Sequence, residues 1–203
     1  MSRTRPVLLA VDGFSGAGKS SLADELMRTF AERNVPAALF RLEDIYPGWD
    51  GLAAGMDCYR RQVLEPLAAG RPARWRAWDW EAGGWGAGRT TEPAAVVLCE
   101  GVGALHAAAR PLLDAGVWLQ APAALRRRRA LARDGETYAP HWERWAAQEG
   151  AWAAADDAAA AADLVLDGGA PGNAAAVLAL LSGSGTGSGS ATAPMPGVTA
   201  GWR

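Results

Sequence analysis

The sequence predicts an α/β fold in which a parallel sheet is covered by helices on both faces. Three observations predict it. Five short apolar runs recur along the chain, stretches with helical apolar spacing separate them, and a glycine-rich octapeptide joins the first run to the first helix.

Residues 6–11 are apolar and end at Asp12, as a buried parallel strand would. Residues 20–33 read as a helix, with Leu22, Ala23, Leu26, Met27 and Phe30 on one face; Asn34 and Pro36 end it. Residues 37–42 are the second strand. Residues 55–69 read as a helix with Met56, Tyr59, Val63 and Leu67 aligned and a kink at Pro66. Residues 94–99 are the third strand, 105–113 a helix, 117–120 the fourth strand and 123–133 a helix. Residues 141–161 are helical, with Trp142, Trp145, Glu149 and Trp152 on one stripe. Residues 164–167 form the fifth strand and 173–181 the closing helix. Residues 71–91 carry four tryptophans without a clean helix or strand pattern. Residues 1–181 are read as one domain, and residues 182–203, rich in Gly, Ser, Thr and Pro, as a disordered tail.

Composition narrows the function. A formal net charge of −2 argues against a nucleic-acid partner. No apolar run approaches membrane-span length, and nothing at the N-terminus reads as a signal peptide, so a cytoplasmic location is expected. Cys58 and Cys99 make neither a disulfide framework nor a metal site, and His106 and His141 have no metal-ligand partner at useful spacing. Of the 20 lysines and arginines, Lys19 alone is a lysine. A compact, flexible ammonium has been kept where a planar guanidinium does not substitute.

That lysine belongs to Gly13-Phe14-Ser15-Gly16-Ala17-Gly18-Lys19-Ser20, followed by Ser21. In the pattern G-x-x-x-x-G-K-[ST], glycines let successive backbone N–H groups point at phosphate oxygens, and the helix that follows adds its positive end. Lys19 then reaches the β- and γ-phosphates and the Ser20 hydroxyl ligates Mg²⁺. ATP and Mg²⁺ are the expected cofactors, and the fold class is that of P-loop nucleotide-binding proteins.

Further polar groups fall at strand ends, where open α/β sheets bind ligands. Glu100-Gly101 follows the third strand, and Glu100 is a candidate ligand of Mg²⁺ or its water shell. Glu43-Asp44 follows the second. Two adjacent strand residues point in opposite directions, so both carboxylates face one site only if the backbone turns there. Arg126, Arg129 and Arg133 are spaced i, i+3, i+7 on one helix face beside Gly135, where they could supply positive charge over a γ-phosphate. Trp75, Trp78, Trp80 and Trp85, interspersed with arginines and Asp79, either stack a ring-bearing acceptor or cover an apolar edge of the domain.

These elements occur in the order found in a known group. The chain resembles the small P-loop kinases of the uridine kinase and nicotinamide riboside kinase group, with phosphoribulokinase and bacterial pantothenate kinase more distantly similar. The resemblance runs over residues 6–181 and rests on residues 13–21, Glu43-Asp44-Ile45-Tyr46, residues 96–101 and the arginine helix with Asp134. It implies a five-stranded sheet in the order 2-3-1-4-5, a lid carrying arginines, and ATP-dependent phosphorylation of a hydroxyl on a nucleoside-like small molecule. It aligns Glu43 with the family's aspartate general base, with Asp44 the alternative, and Trp78-Asp79-Trp80 with a Tyr-Asp-Phe element that lines the acceptor pocket beside Tyr46. A nucleoside monophosphate kinase and a non-catalytic ATP-binding protein remain the alternatives. A GTPase does not, since the guanine-reading Asn-Lys-x-Asp element needs a second lysine.

Overall fold

A computed structural model describes residues 5–183. Strand β1 (Val7–Asp12) is buried along its whole length, and its alternate residues feed two different cores. Val7, Leu9 and Val11 point to one side, and Leu8 and Ala10 to the other. This is the period-2 alternation of a strand covered on both faces. Parallel strands β2 (Ala37–Arg41), β5 (Val96–Glu100), β6 (Ala115–Gln120) and β7 (Leu164–Asp167) complete a sheet in the order β2-β5-β1-β6-β7. Setting aside a separate two-stranded hairpin of β3 (Ala73–Asp79) and β4 (Gly84–Thr91), this is the expected 2-3-1-4-5 order.

Helix α1 (Lys19–Glu32) and helix α6 (Asn173–Gly183) cover the first face, through Leu22, Leu26, Phe30, Val177 and Leu178. The second face is covered by α2 (Leu52–Cys58), α3 (Glu65–Ala68), α4 (Ala123–Tyr138) and α5 (Trp142–Asp156), with Tyr59, Leu64, Tyr138, Trp142 and Trp145 in its core. The expected tail falls on residues 184–203, outside the described residues, while Ser182 and Gly183 still belong to α6.

The structure departs from the sequence reading in three places. Residues 71–91 form an antiparallel hairpin of β3 (Ala73–Asp79) and β4 (Gly84–Thr91). Ala73, Trp75 and Ala77 are buried while Arg74 and Arg76 are exposed, so a half-buried strand was written in the alternation. The helix expected over 105–113 is a run of turns with one 3₁₀ turn, Arg110–Leu112, ending before the extended Leu113. The helix expected over 55–69 widens into a π turn over Tyr59–Leu64 ahead of Pro66. Proline supplies no N–H and its ring crowds the carbonyl four residues back, so the helix loosens there.

Candidate active site

The glycine-rich loop leaves β1 at Asp12 and returns as α1, whose N-cap is Gly18 in a left-handed conformation. Gly16 has φ 76°, and a Cβ on it would stand 2.1 Å from the Arg126 carbonyl oxygen, so the loop packs where only glycine fits. Ala17 is fully buried. The Lys19 ammonium is buried and donates to the carbonyls of Gly13 (2.8 Å) and Phe14 (3.1 Å), which holds it inside the loop. The Ser20 hydroxyl donates to Glu100 Oε1 at 3.2 Å. Ser21, one residue on, is exposed.

Glu100 ends β5 and is buried. Arg41, at the end of β2, donates to it at 2.7 Å and to Asp24 at 2.7 Å. Asp12 ends β1 and is fully buried, accepting from the backbone N–H groups of Gly13, Gly103 and Leu105. Burial pushes its carboxyl up to about 7, against those three donors and Lys19, all of which favour the carboxylate.

A cavity of about 500 Å³ opens on the glycine-rich loop. Ser15, Gly16, Lys19, Ser20 and Glu100 line it, together with Glu43, Asp44, Tyr46, Trp49, Trp80, Arg133, Tyr138 and Trp145. Glu43 and Asp44 both reach it because the chain turns into a 3₁₀ helix, Leu42–Ile45, as it leaves β2. Glu43 is open to the cavity but crowded by protein elsewhere. That burial lifts its carboxyl above the usual glutamate range, Glu100 adds to the lift, and Arg133 and Arg41 oppose it. Asp44 is paired with Arg89 at 3.2 Å. Tyr46 is buried and donates to the Val102 carbonyl at 2.8 Å.

The arginines divide. Arg133 lines the cavity. Arg126 lies over the Phe14 ring, 4.7 Å from its centroid, and donates to the Ala121 and Ser15 carbonyls. Arg129 donates to the Gly168 carbonyl after β7 at 3.2 Å. Helix α4 breaks at Gly135 (φ 52°, ψ −132°), a conformation open to glycine, and Tyr138 beyond the break returns to the cavity wall.

The tryptophans divide as well. Trp80 lines the cavity, and its indole donates to the Glu43 carbonyl at 3.2 Å. Among the described residues, Trp78 and Asp79 do not line it. Trp78 packs on Trp85, with ring centroids 5.4 Å apart. Asp79 accepts from the N–H groups of Glu81 and Ala82, closing the turn between β3 and β4. In their place stands Trp49, 4.8 Å from Trp80, 5.1 Å from Tyr138 and 4.5 Å from His141. Sequence reasoning missed Trp49 and Asp12, although one follows the Tyr46-Pro47-Gly48 turn and the other is a lone acid abutting the glycine loop.

No protein-family model matches the sequence, and none of the curated proteins matches it. Solved structures do match. A protein described as a possible uridine kinase from Bacillus stearothermophilus superposes with a TM-score of 0.61 at 20% identity, over 82% of this chain and 91% of the other. Shikimate kinase from Acinetobacter baumannii, in complex with shikimate, matches with a TM-score of 0.54 at 16% identity, over 91% and 97% of the two chains. The fold is that of the small P-loop kinases. Within that fold, the loop after β1, the acidic turn after β2 and the acidic end of β5 meet at the carboxyl edge of the sheet, where the strand order reverses.

Among the described residues no cluster of three or more His, Cys, Asp or Glu side chains could hold a metal ion, and no helix is long and apolar enough to cross a membrane. The donors that are present suit Mg²⁺. A hydroxyl and a carboxylate stand side by side next to the glycine-rich loop, and Mg²⁺ is commonly held by one or two such oxygens together with substrate phosphates and water.

Proposed function

We propose that this chain is an ATP- and Mg²⁺-dependent kinase that transfers a phosphoryl group to a hydroxyl of a small, nucleoside-like molecule. The observation that carries the reading is that Lys19, Ser20, Glu43, Glu100 and Arg133 open on one cavity walled by aromatic rings. Ser20 and Glu100 would hold Mg²⁺, which when bound neutralises charge on the phosphates. Lys19 would bind the β- and γ-phosphates from within the loop. Glu43 would take the proton of the acceptor hydroxyl as its oxygen bonds to the γ-phosphorus and the bond to the departing ADP breaks. Arg133 would balance charge on the transferring group. Trp49, Trp80 and Tyr138 would stack a planar acceptor and exclude water.

An acceptor already carrying a phosphate fits less well. Among the described residues Arg133 is the arginine of the cavity wall. Arg60 is paired with Asp57 and Glu65, and Arg76 donates to the carbonyls of Trp85 and Gly86.

ADP release measured over a panel of nucleosides, nucleoside monophosphates and other small alcohols tests the reading. Acceptor-dependent release with a nucleoside-like alcohol, lost in Lys19→Ala, is the expected result. Turnover with no alcohol in the panel, or turnover surviving Lys19→Ala, overturns it.

A further inference from the structure

One buried carboxylate has no part in the chemistry above. Glu149 lies on α5, far in sequence from the phosphate loop, and is 1% exposed. Its Oε1 accepts from the Ser15 backbone N–H at 2.9 Å, from the Ser15 hydroxyl at 2.5 Å and from the Trp145 indole at 2.8 Å. The same indole stands 3.1 Å from the Ser15 hydroxyl. A buried carboxylate is costly unless its donors are held in place, so this group fixes what it touches. One residue earlier, α5 grips another loop. Gln148 donates to the Trp49 carbonyl at 2.6 Å, and Arg144 is ion-paired with Asp50.

We propose that Glu149 is a positioning residue of the phosphate loop, and that α5 ties the shape of that loop to the 47–51 loop walling the acceptor end of the cavity. The proposal rests on the kinase reading for its purpose. Geometry carries it: Glu149 draws the Ser15 N–H toward α5, which sets the direction of the amides that follow. Acceptor-side packing against Trp49 is then felt at the nucleotide through one rigid helix.

The test is calorimetric binding of MgADP to the full chain, which needs no acceptor. A buried negative charge on its own repels a polyphosphate. If charge were the whole role, Glu149→Gln would bind MgADP more tightly. Positioning predicts the opposite, a loss of about tenfold, at a melting temperature close to wild type. Gln148→Ala, which removes a contact on the acceptor side only, is expected to weaken MgADP about two- to threefold in the wild-type background and not at all in Glu149→Gln, because the two then share one path. Ser15→Ala, which removes only the hydroxyl donor, gives an intermediate loss and serves if Glu149→Gln does not fold. Tighter or unchanged binding in Glu149→Gln, or in Ser15→Ala when that stands in for it, overturns the positioning role. Additive effects of Gln148→Ala and the Glu149 change overturn the coupling. Failure of the wild-type chain to bind MgADP sinks the kinase reading instead, so the two failures are distinguishable.

Discussion

The Ser20 hydroxyl and the Glu100 carboxylate stand 3.2 Å apart although 80 residues separate them, because β1 and β5 are adjacent parallel strands that end at the same level. The pairing sets a hydroxyl from the start of α1 against an acid from a strand end, both in the cavity wall. Glu100→Gln keeps the shape and removes the charge. Half-maximal activation should then require about ten times more Mg²⁺ or beyond, with the fold retained. An unchanged Mg²⁺ requirement would return Glu100 to the role of anchoring Arg41, its other partner.

Glu43 and Asp44 share the turn after β2, and Asp44 is ion-paired with Arg89 of the hairpin. Glu43→Gln should lower kcat by about 10²- to 10⁴-fold, and Asp44→Asn by less. The pH profile gives a second reading. A base must be deprotonated to work, and burial lifts the Glu43 carboxyl above the usual glutamate range. The acid limb of kcat/KM therefore lies at higher pH than for a solvated glutamate. Arg133→Ala, which removes an influence holding that carboxyl down, should move the limb higher still. A limb that stays put in Arg133→Ala contradicts the assignment.

Arg133 and Arg126, both on α4, should not behave alike. Arg133 lines the cavity, so Arg133→Ala should cost about 10²-fold in kcat with little change in melting temperature. Arg126 covers Phe14 and holds the Ser15 carbonyl, so Arg126→Ala should raise KM for ATP and lower the melting temperature. Equal kcat losses from both changes would mean that the helix acts as one catalytic face.

Much of this was legible in the sequence, because periodicity reports local burial and the glycine loop reports a backbone shape. The five parallel strands, α1 and the loop from Gly13 to Ser20 could be read directly. What escaped depended on contacts between distant segments. The 3₁₀ turn that lets Glu43 and Asp44 face one cavity is such a case, as is the partition of the arginines, since i, i+3, i+7 spacing says they share a face and not what each one meets. The hairpin was missed for another reason. Its alternation in β3 is plain, but glycines in β4 left no partner pattern to pair it with. Glu149 stood on the α5 stripe among tryptophans, a lone charge on an apolar face, and only the fold showed that Ser15 lies against it.

Trp80 and Asp79 are neighbours in sequence with different duties. Trp80→Ala should raise KM for the acceptor while sparing that for ATP, because its ring lines the cavity beside Trp49. Asp79→Asn weakens acceptance of the Glu81 and Ala82 N–H groups and should act mainly on the stability of the hairpin. An acceptor KM that rises more for Asp79→Asn than for Trp80→Ala would place Asp79 at the substrate after all.

Asp12 gives the clearest stability prediction. Its Oδ1 accepts from Gly13 and Gly103 and its Oδ2 from Leu105, so among the described residues its hydrogen-bond donors are backbone N–H groups. Asp12→Asn keeps one acceptor oxygen and turns an NH₂ group toward a backbone N–H. A donor then faces a donor in a fully buried site, which costs about 1–3 kcal/mol. Asp12→Ala leaves all three N–H groups without this acceptor and should cost more. Urea unfolding of both variants checks the order, with the slope expected to match wild type. If Asp12→Asn were as stable as wild type, the three amides would have other acceptors, and Asp12 would not be the group that holds the 101–105 turn against the glycine-rich loop.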